Sequence, residues 1–294
     1  MAAPIEFLTS ALAATALAAA FWLRRHFRLR GAAACRPADA LAICRPMLKL
    51  LAALQQHRGM ASGWLAGDAN FGPRMEERRR EIERLFAAIA LALVPENACA
   101  VPCMTLQDFR LLRHRWQELL HGLGGLSVDE SIARHTAIIA RILLLLDAVG
   151  ETRIGLTRMG SLPQVGNFAR RLPALTEALG QARAIGTGVA ARGACSPVDR
   201  VRLLFLISRA ETLLQQAQAD AAASHAAGAA SRLVAELAAV LRTEMLHAEG
   251  VRVASADYFA MATRAIDSVF AWIDASGSEI AAGIAARMQT PAGR

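Results

Sequence analysis

Two arginines, Arg58 and Arg183, stand 125 positions apart in matching surroundings. The first lies in Leu54-Gln55-Gln56-His57-Arg58-Gly59-Met60-Ala61-Ser62-Gly63-Trp64-Leu65-Ala66-Gly67. The second lies in Leu179-Gly180-Gln181-Ala182-Arg183-Ala184-Ile185-Gly186-Thr187-Gly188-Val189-Ala190-Ala191. Each copy sets Leu, Gln, Arg, a hydroxyl residue and Gly at nearly the same offsets, the hydroxyls being Ser62 and Thr187. Each arginine falls on a helix that is otherwise apolar on that side, as a duplicated helical unit would place it. A guanidinium among apolar neighbours needs an anion close by, supplied by the protein or by a ligand. Within the chain, Asp147 or Glu151 could neutralise Arg58, and Glu177 or Glu211 could neutralise Arg183. Arg242 is a third cation by position alone, with no motif around it.

Other chemistry is sparse. The chain has no Gly-x-Ser-x-Gly elbow, no Walker loop and no dinucleotide fingerprint. The Gly122, Gly124, Gly125 cluster has no strand before it and reads as a turn. The histidines are scattered without a four-apart metal-ligand pair. His57, beside Arg58, is either a proton donor or a packed boundary histidine. Glu76, Glu77, Glu81 and Glu83 lie among arginines as surface ion pairs. These residues point away from an enzyme and call for no cofactor and no metal.

The elements that must carry the two arginines are helices. Hydrophobic residues make up 54% of the 294-residue chain and aromatics only 5%, with Ala and Leu dominant and no strand pattern. Residues 38–66 read as one long helix whose buried face turns polar at Gln55, Arg58 and Ser62. A second helix runs over 73–93, a loop over 95–102, a third helix from a Thr105/Asp108 cap to the glycines at 122–125. A fourth opens at Ser127 with Glu130. Residues 150–167, rich in Gly, form a joint. Periodicity resumes at Phe168, with Leu172, Leu175, Leu179, Arg183, Gly186 and Ala190 on one face. Ser196-Pro197 opens the next helix, residues 226–246 give another, and Ser255 caps the last. The expected fold is all-α: two consecutive antiparallel four-helix bundles, 38–150 and 168–288, joined by 151–167.

Residues 7–23 are uncharged and apolar, and Arg24, Arg25, Arg28 and Arg30 follow at once. That pattern predicts a single N-terminal membrane-anchor helix within residues 1–37, the chain being a single-pass inner-membrane protein with its bulk in the cytoplasm. Export is the rival reading. The net charge of +8 is almost all arginine, with Lys49 the one lysine, and no helix has a basic face, so no nucleic acid is expected as partner. Five irregularly spaced cysteines fit a reducing compartment; Cys99 and Cys103 could pair only if their loop were exported.

The segment 54–67, followed by Phe71 and the Arg/Glu-rich helix, resembles the opening of the nitrate- and nitrite-sensing (NIT) domain family. Leu172-Pro173-Ala174-Leu175-Thr176-Glu177-Ala178-Leu179-Gly180-Gln181-Ala182-Arg183-Ala184-Ile185-Gly186 is similar to that family's second-half segment. Asp257-Tyr258-Phe259 with Thr263-Arg264-Ala265-Ile266-Asp267 is similar to its closing helix. Similar segments occur in the helical sensor regions of some chemoreceptors. The resemblance spans residues 38–274. It implies two helical bundles that bind nitrate or nitrite through arginines and relay occupancy to an output. Arg58 and Arg183 match the family's two arginines; His57 stands where the family usually has Glu. Nothing after the last helix resembles an RNA-binding, kinase, cyclase or chemoreceptor signalling module, which leaves the output to a separate signalling protein or to a homodimer.

Guanidinium suits such a ligand. Nitrate is planar and delocalised, and the guanidinium fork meets two oxygens at once, which an ammonium cannot. Ser62 and Thr187 add hydroxyl donors, and Gly59, Gly63, Gly186 and Gly188 permit close helix approach. The ligand-binding set is therefore Arg58, Arg183, Ser62 and Thr187. A helical scaffold that binds a protein partner and no small molecule is the alternative.

Overall fold

The computed structural model describes residues 37–99, 101–155, 163–220, 224–246 and 250–289. These residues are helical with no strand among them. Eight long helices carry the fold: α1 Pro37–Leu65, α2 Phe71–Ala92, α3 Leu106–Gly122, α4 Val128–Val149, α5 Leu172–Arg192, α6 Pro197–Ala219, α7 His225–Val240 and α8 Ser255–Gln289.

The helix starts follow local chemistry. Thr105 and Asp108 form a reciprocal capping box at α3, and Ser127 with Glu130 does the same at α4. Ser196 accepts from the Asp199 amide with Pro197 at the first helical position. Ser255 is the first residue of α8 rather than its cap, and its hydroxyl donates to Asp68. The expected joint is more helical than its glycines suggest. Gly150–Gly155 and Asn167–Arg171 are π-helical turns and Pro163–Gly166 is a short α-helix. A Cβ on Gly150 would stand 2.3 Å from the Ala169 Cβ, so this glycine lets the two π-turns touch.

The same ring of contacts recurs in each half. In the first, α1 and α3 both pack against α2 and α4; in the second, α5 and α7 both pack against α6 and α8. The halves meet chiefly through α1 and α5, with α8 also reaching α1 and α4 reaching α5. One core cluster of buried residues draws on all eight helices. A small separate cluster, Met60, Phe71 and Phe259, closes one side. Helices α1 and α5 are buried on nearly every side, so neither shows a strong amphipathic pattern.

The single-pass inner-membrane placement is corrected. Among the described residues no helix is long and apolar enough to cross a membrane. The apolar run 7–23 that suggested an anchor lies outside the described residues. Cys44, Cys103 and Cys195 carry free thiols.

His57 is a packed histidine. His135 Nδ1 lies 2.7 Å from the Ser131 carbonyl oxygen and must donate to it. Its Nε2 therefore accepts from His57 Nδ1 at 2.9 Å. The edge of Trp116 closes the cluster 4.8 Å from the His57 ring. Burial holds both imidazoles neutral. Desolvation brings His135 down to about 3, against the raising effect of the Ser131 bond, and the Arg58 charge lowers it further. Desolvation and then His135 push His57 well below its ordinary value.

Two tests of this packing follow from these contacts. Unfolded imidazoles take up protons below about pH 6.5, and the folded pair does not. Stability is thus fully present above that pH and falls as the solution is acidified toward about 3. Each group contributes a slope of about 1.4 kcal/mol per pH unit inside its window; urea midpoints measured between pH 7 and 4 should fall less steeply for His135→Gln. Glycine substitutions should differ in sign. A Cβ on Gly186 would meet the Tyr258 ring at 2.4 Å, so Gly186→Ala should cost about 1–3 kcal/mol. Gly228 has open space around it, and Gly228→Ala should gain up to about 1 kcal/mol in a thermal melt.

Candidate anion site between α1 and α5

Helices α1 and α5 run side by side in the same direction. Gln55 meets Thr176 and Glu177, Arg58 reaches Glu177, Gly59 lies against Arg183, and Gly63 lies against Thr187, so residue numbers rise together along the contact. The close approach depends on glycine. A Cβ on Gly180 would stand 2.9 Å from Arg58 Nη2, and one on Gly59 would stand 3.2 Å from Arg183 Nε. Each guanidinium therefore lies on bare backbone of the opposite helix.

Both arginines are fully buried, at 0% exposure. Their partners differ. Arg58 Nη1 donates to Glu177 Oε1 at 2.7 Å and to Thr136 at 2.8 Å, and its Nη2 donates to Glu177 Oε2 at 3.1 Å. Gln55 and Gln181 also donate to the Glu177 carboxylate, at 3.1 and 2.7 Å. Arg183 Nη1 donates to Thr263 at 2.8 Å, and its guanidinium lies 5.0 Å from the centre of the Phe259 ring. Its Nε and Nη2 have no hydrogen-bond partner among the described residues; nor do Arg58 Nε, Ser62 Oγ and Thr187 Oγ1. Desolvation lowers Arg183 to about 9, and the Arg58 charge adds to this against weaker help from Asp267, Tyr258 and Glu177. Burial raises Asp267, opposed by Arg183 and Arg78. Asp267 is exposed, and none of the ion pairs among the described residues joins it to Arg183.

Two guanidiniums and one carboxylate leave this buried space one positive charge in excess. The asymmetry is set inside a near-repeat. Arg58 donates to Thr136 on α4 and Arg183 to Thr263 on α8, at sequence separations of 78 and 80. The offset of 125 that matches Arg58 to Arg183 and Ser62 to Thr187 puts Ala52 opposite Glu177. One copy has the acid and the other has a methyl group.

The structure thus brings Arg58, Arg183, Ser62 and Thr187 together. It corrects the internal partners considered for the arginines. Asp147 and Glu151 do not pair with Arg58; Glu177, considered for Arg183, takes Arg58 instead. Glu211 pairs with Arg242 at 2.8 Å, and that pair is exposed and outside the site. Sequence reasoning missed Thr136, Thr263, Gln55 and Phe259. Thr136 and Thr263 were within reach, because they stand at almost the same distance downstream of the two arginines.

Among the described residues no group of His, Cys, Asp and Glu could hold a metal ion. No curated protein matches the chain. The structure of the NasR transcription antiterminator matches at a TM-score of 0.69 and 16% identity, over 94% of this chain and 76% of that one, which is a likeness of fold. A family model described as nitrate and nitrite sensing matches residues 49–288, a span that takes in both arginines, both hydroxyls and Glu177. By that match the chain belongs to the nitrate and nitrite sensing (NIT) family.

Proposed function

We propose that this chain binds one monovalent oxyanion, nitrate or nitrite, between α1 and α5 and reports its presence to a separate regulatory protein. The observation that carries this reading is the buried excess of one positive charge surrounded by donors without partners. Each unpartnered buried donor costs about 1–3 kcal/mol. Five such groups in one place is a large cost for a scaffold and a ready site for an anion. Arg183 Nε and Nη2 form one edge of the fork, suited to two oxygens of a planar ion. Ser62, Thr187 and Arg58 Nε supply the remaining donors.

The charge count favours a monoanion. Nitrate or nitrite brings the site to neutrality, whereas sulfate would leave it negative in a desolvated place. Occupancy acts on helices of both halves: the ligand bridges α1 and α5, Thr136 ties Arg58 to α4, and Thr263 ties Arg183 to α8. In this reading the two helical rings are the copies of a duplicated unit, and the anion sets how they pack. The fold neighbour is a transcription antiterminator, which supports a regulatory protein as receiver. The scaffold reading retains one observation: Val198, Val201, Leu204 and Phe205 form an exposed apolar stripe on α6. That stripe is equally the place where a receiver could dock.

Calorimetric titration of the full chain tests the reading: nitrate or nitrite should bind with one ion per chain, and sulfate should not. Indifference to both ions would overturn it. Arg183→Met should raise the thermal midpoint without nitrate, because it removes an unpaired buried charge, and should abolish the nitrate-dependent rise. An arginine with a purely structural role would lower the midpoint instead. Glu177→Gln should raise the excess charge to two and let sulfate bind, measured by the same titration.

A further inference from the structure

Both site arginines are fully buried, so an ion reaches them only if part of the wall moves. On the Arg58 side the wall is Glu177, held in a bidentate ion pair and by two glutamines. On the Arg183 side the wall includes the Phe259 ring of α8, which lies over the guanidinium. This ring belongs to the small Met60, Phe71, Phe259 cluster and stands apart from the main core. It meets Phe71 at 5.3 Å between centres. Its edge rests on Gly59, where a Cβ would be 2.9 Å away, and Met60 is the α1 side chain in its cluster.

Two cations share this ring. Arg183 lies 5.0 Å from its centre on the buried side. Arg74, in the first turn of α2, lies 5.4 Å from the same centre and 5.9 Å from the Phe71 ring. Arg74 is exposed and enters none of the ion pairs among the described residues, although Arg78, Arg79 and Arg80 on the same helix all do. An unpaired surface guanidinium held over two aromatic rings is a fixed positive charge facing solvent.

We propose that Phe259 is the gate of the anion site and that Arg74 is its outer capture residue, so that a monovalent oxyanion passes from Arg74 past the ring to Arg183. This rests on the anion-sensing reading above. The ring yields more readily than the Glu177 wall because apolar, aromatic and cation contacts of a three-residue cluster hold it, whereas the other wall is a buried ion pair. An anion arriving at Arg183 weakens the cation's hold on the ring, and the ring then closes over a neutralised site. Arg74 attracts the ion on its way in and out and does not touch it when bound. It should therefore govern rates rather than affinity.

Stopped-flow mixing of the full chain with sodium nitrate, followed by tryptophan fluorescence, tests this, because Trp64 packs against the Met60, Phe71, Phe259 cluster. Arg74→Gln should slow association about threefold and weaken its dependence on ionic strength. Its Kd by calorimetry should stay within about twofold of the wild type, because dissociation slows in step. Phe259→Leu should speed both association and dissociation. Unchanged rates in both variants, with nitrate still bound, would overturn the gate alone. A weakened Kd at an unchanged association rate in Arg74→Gln would also overturn it, by making Arg74 a direct contact. A wild-type chain that takes up no nitrate would overturn the functional reading, and the gate with it.

Discussion

One carboxylate serves two buried guanidiniums, and the rest of the site is arranged around that imbalance. Burying a charge without a counter-ion is among the largest penalties a fold can carry. Arg58 escapes it through a bidentate pair with Glu177 that two glutamines hold in place. Arg183 has a threonine, an aromatic face and bare glycine backbone, and desolvation draws its ordinary affinity for a proton down to about 9. The parallel run of α1 and α5 makes this state common to both halves.

The sequence carried the ingredients further than the wiring. The all-helical class, four long helices per half, and the caps at Thr105, Ser127 and Ser196 follow from local residue types, and the structure has them. The repeat picked out Arg58, Arg183, Ser62 and Thr187, which α1 and α5 bring together. Glu177, which lies in the same half as Arg183 and could neutralise it, pairs instead with Arg58, because parallel helices set one copy against the other. Register across two buried helices is a tertiary property that periodicity along one helix does not encode. Phe259 was legible only as part of a resemblance, since an aromatic at helical spacing reads as core. The membrane placement rested on residues 7–23, which lie outside the described residues, and no described helix supports it.

His57 shows how sharply α1 separates its faces. It is adjacent in sequence to Arg58, yet it points to His135 and Trp116 on α4 and α3, while Arg58 points to Glu177 on α5. About 100° of rotation between consecutive residues is enough to place a neutral polar pair on one side and an ion pair on the other. The neutral state of His57 matters here. A charged imidazolium would add to the excess positive charge, and its burial with His135 holds it neutral. With His57 neutral, the buried charges of the site are Arg58, Arg183 and Glu177, and Asp267 acts on Arg183 from the exposed side.

A sensor needs two packings whose energies differ by an amount its ligand can reverse, and a ligand shifts the balance only by its differential affinity. In the function proposed for this chain, an excess of one buried charge meets that requirement without a large movement. In the proposed sensor, repulsion between the two arginines opposes close packing of α1 on α5 before the ion binds, and a shared anion opposes their separation afterwards. On that proposal the sign of the interaction across the helix pair changes with occupancy. Thr136 and Thr263 tie the two arginines to α4 and α8, the last helix of each half, and this is the route the proposal gives to that change. On the proposed reading, an acid at position 52 to match Glu177 would remove the excess charge on which the ion acts.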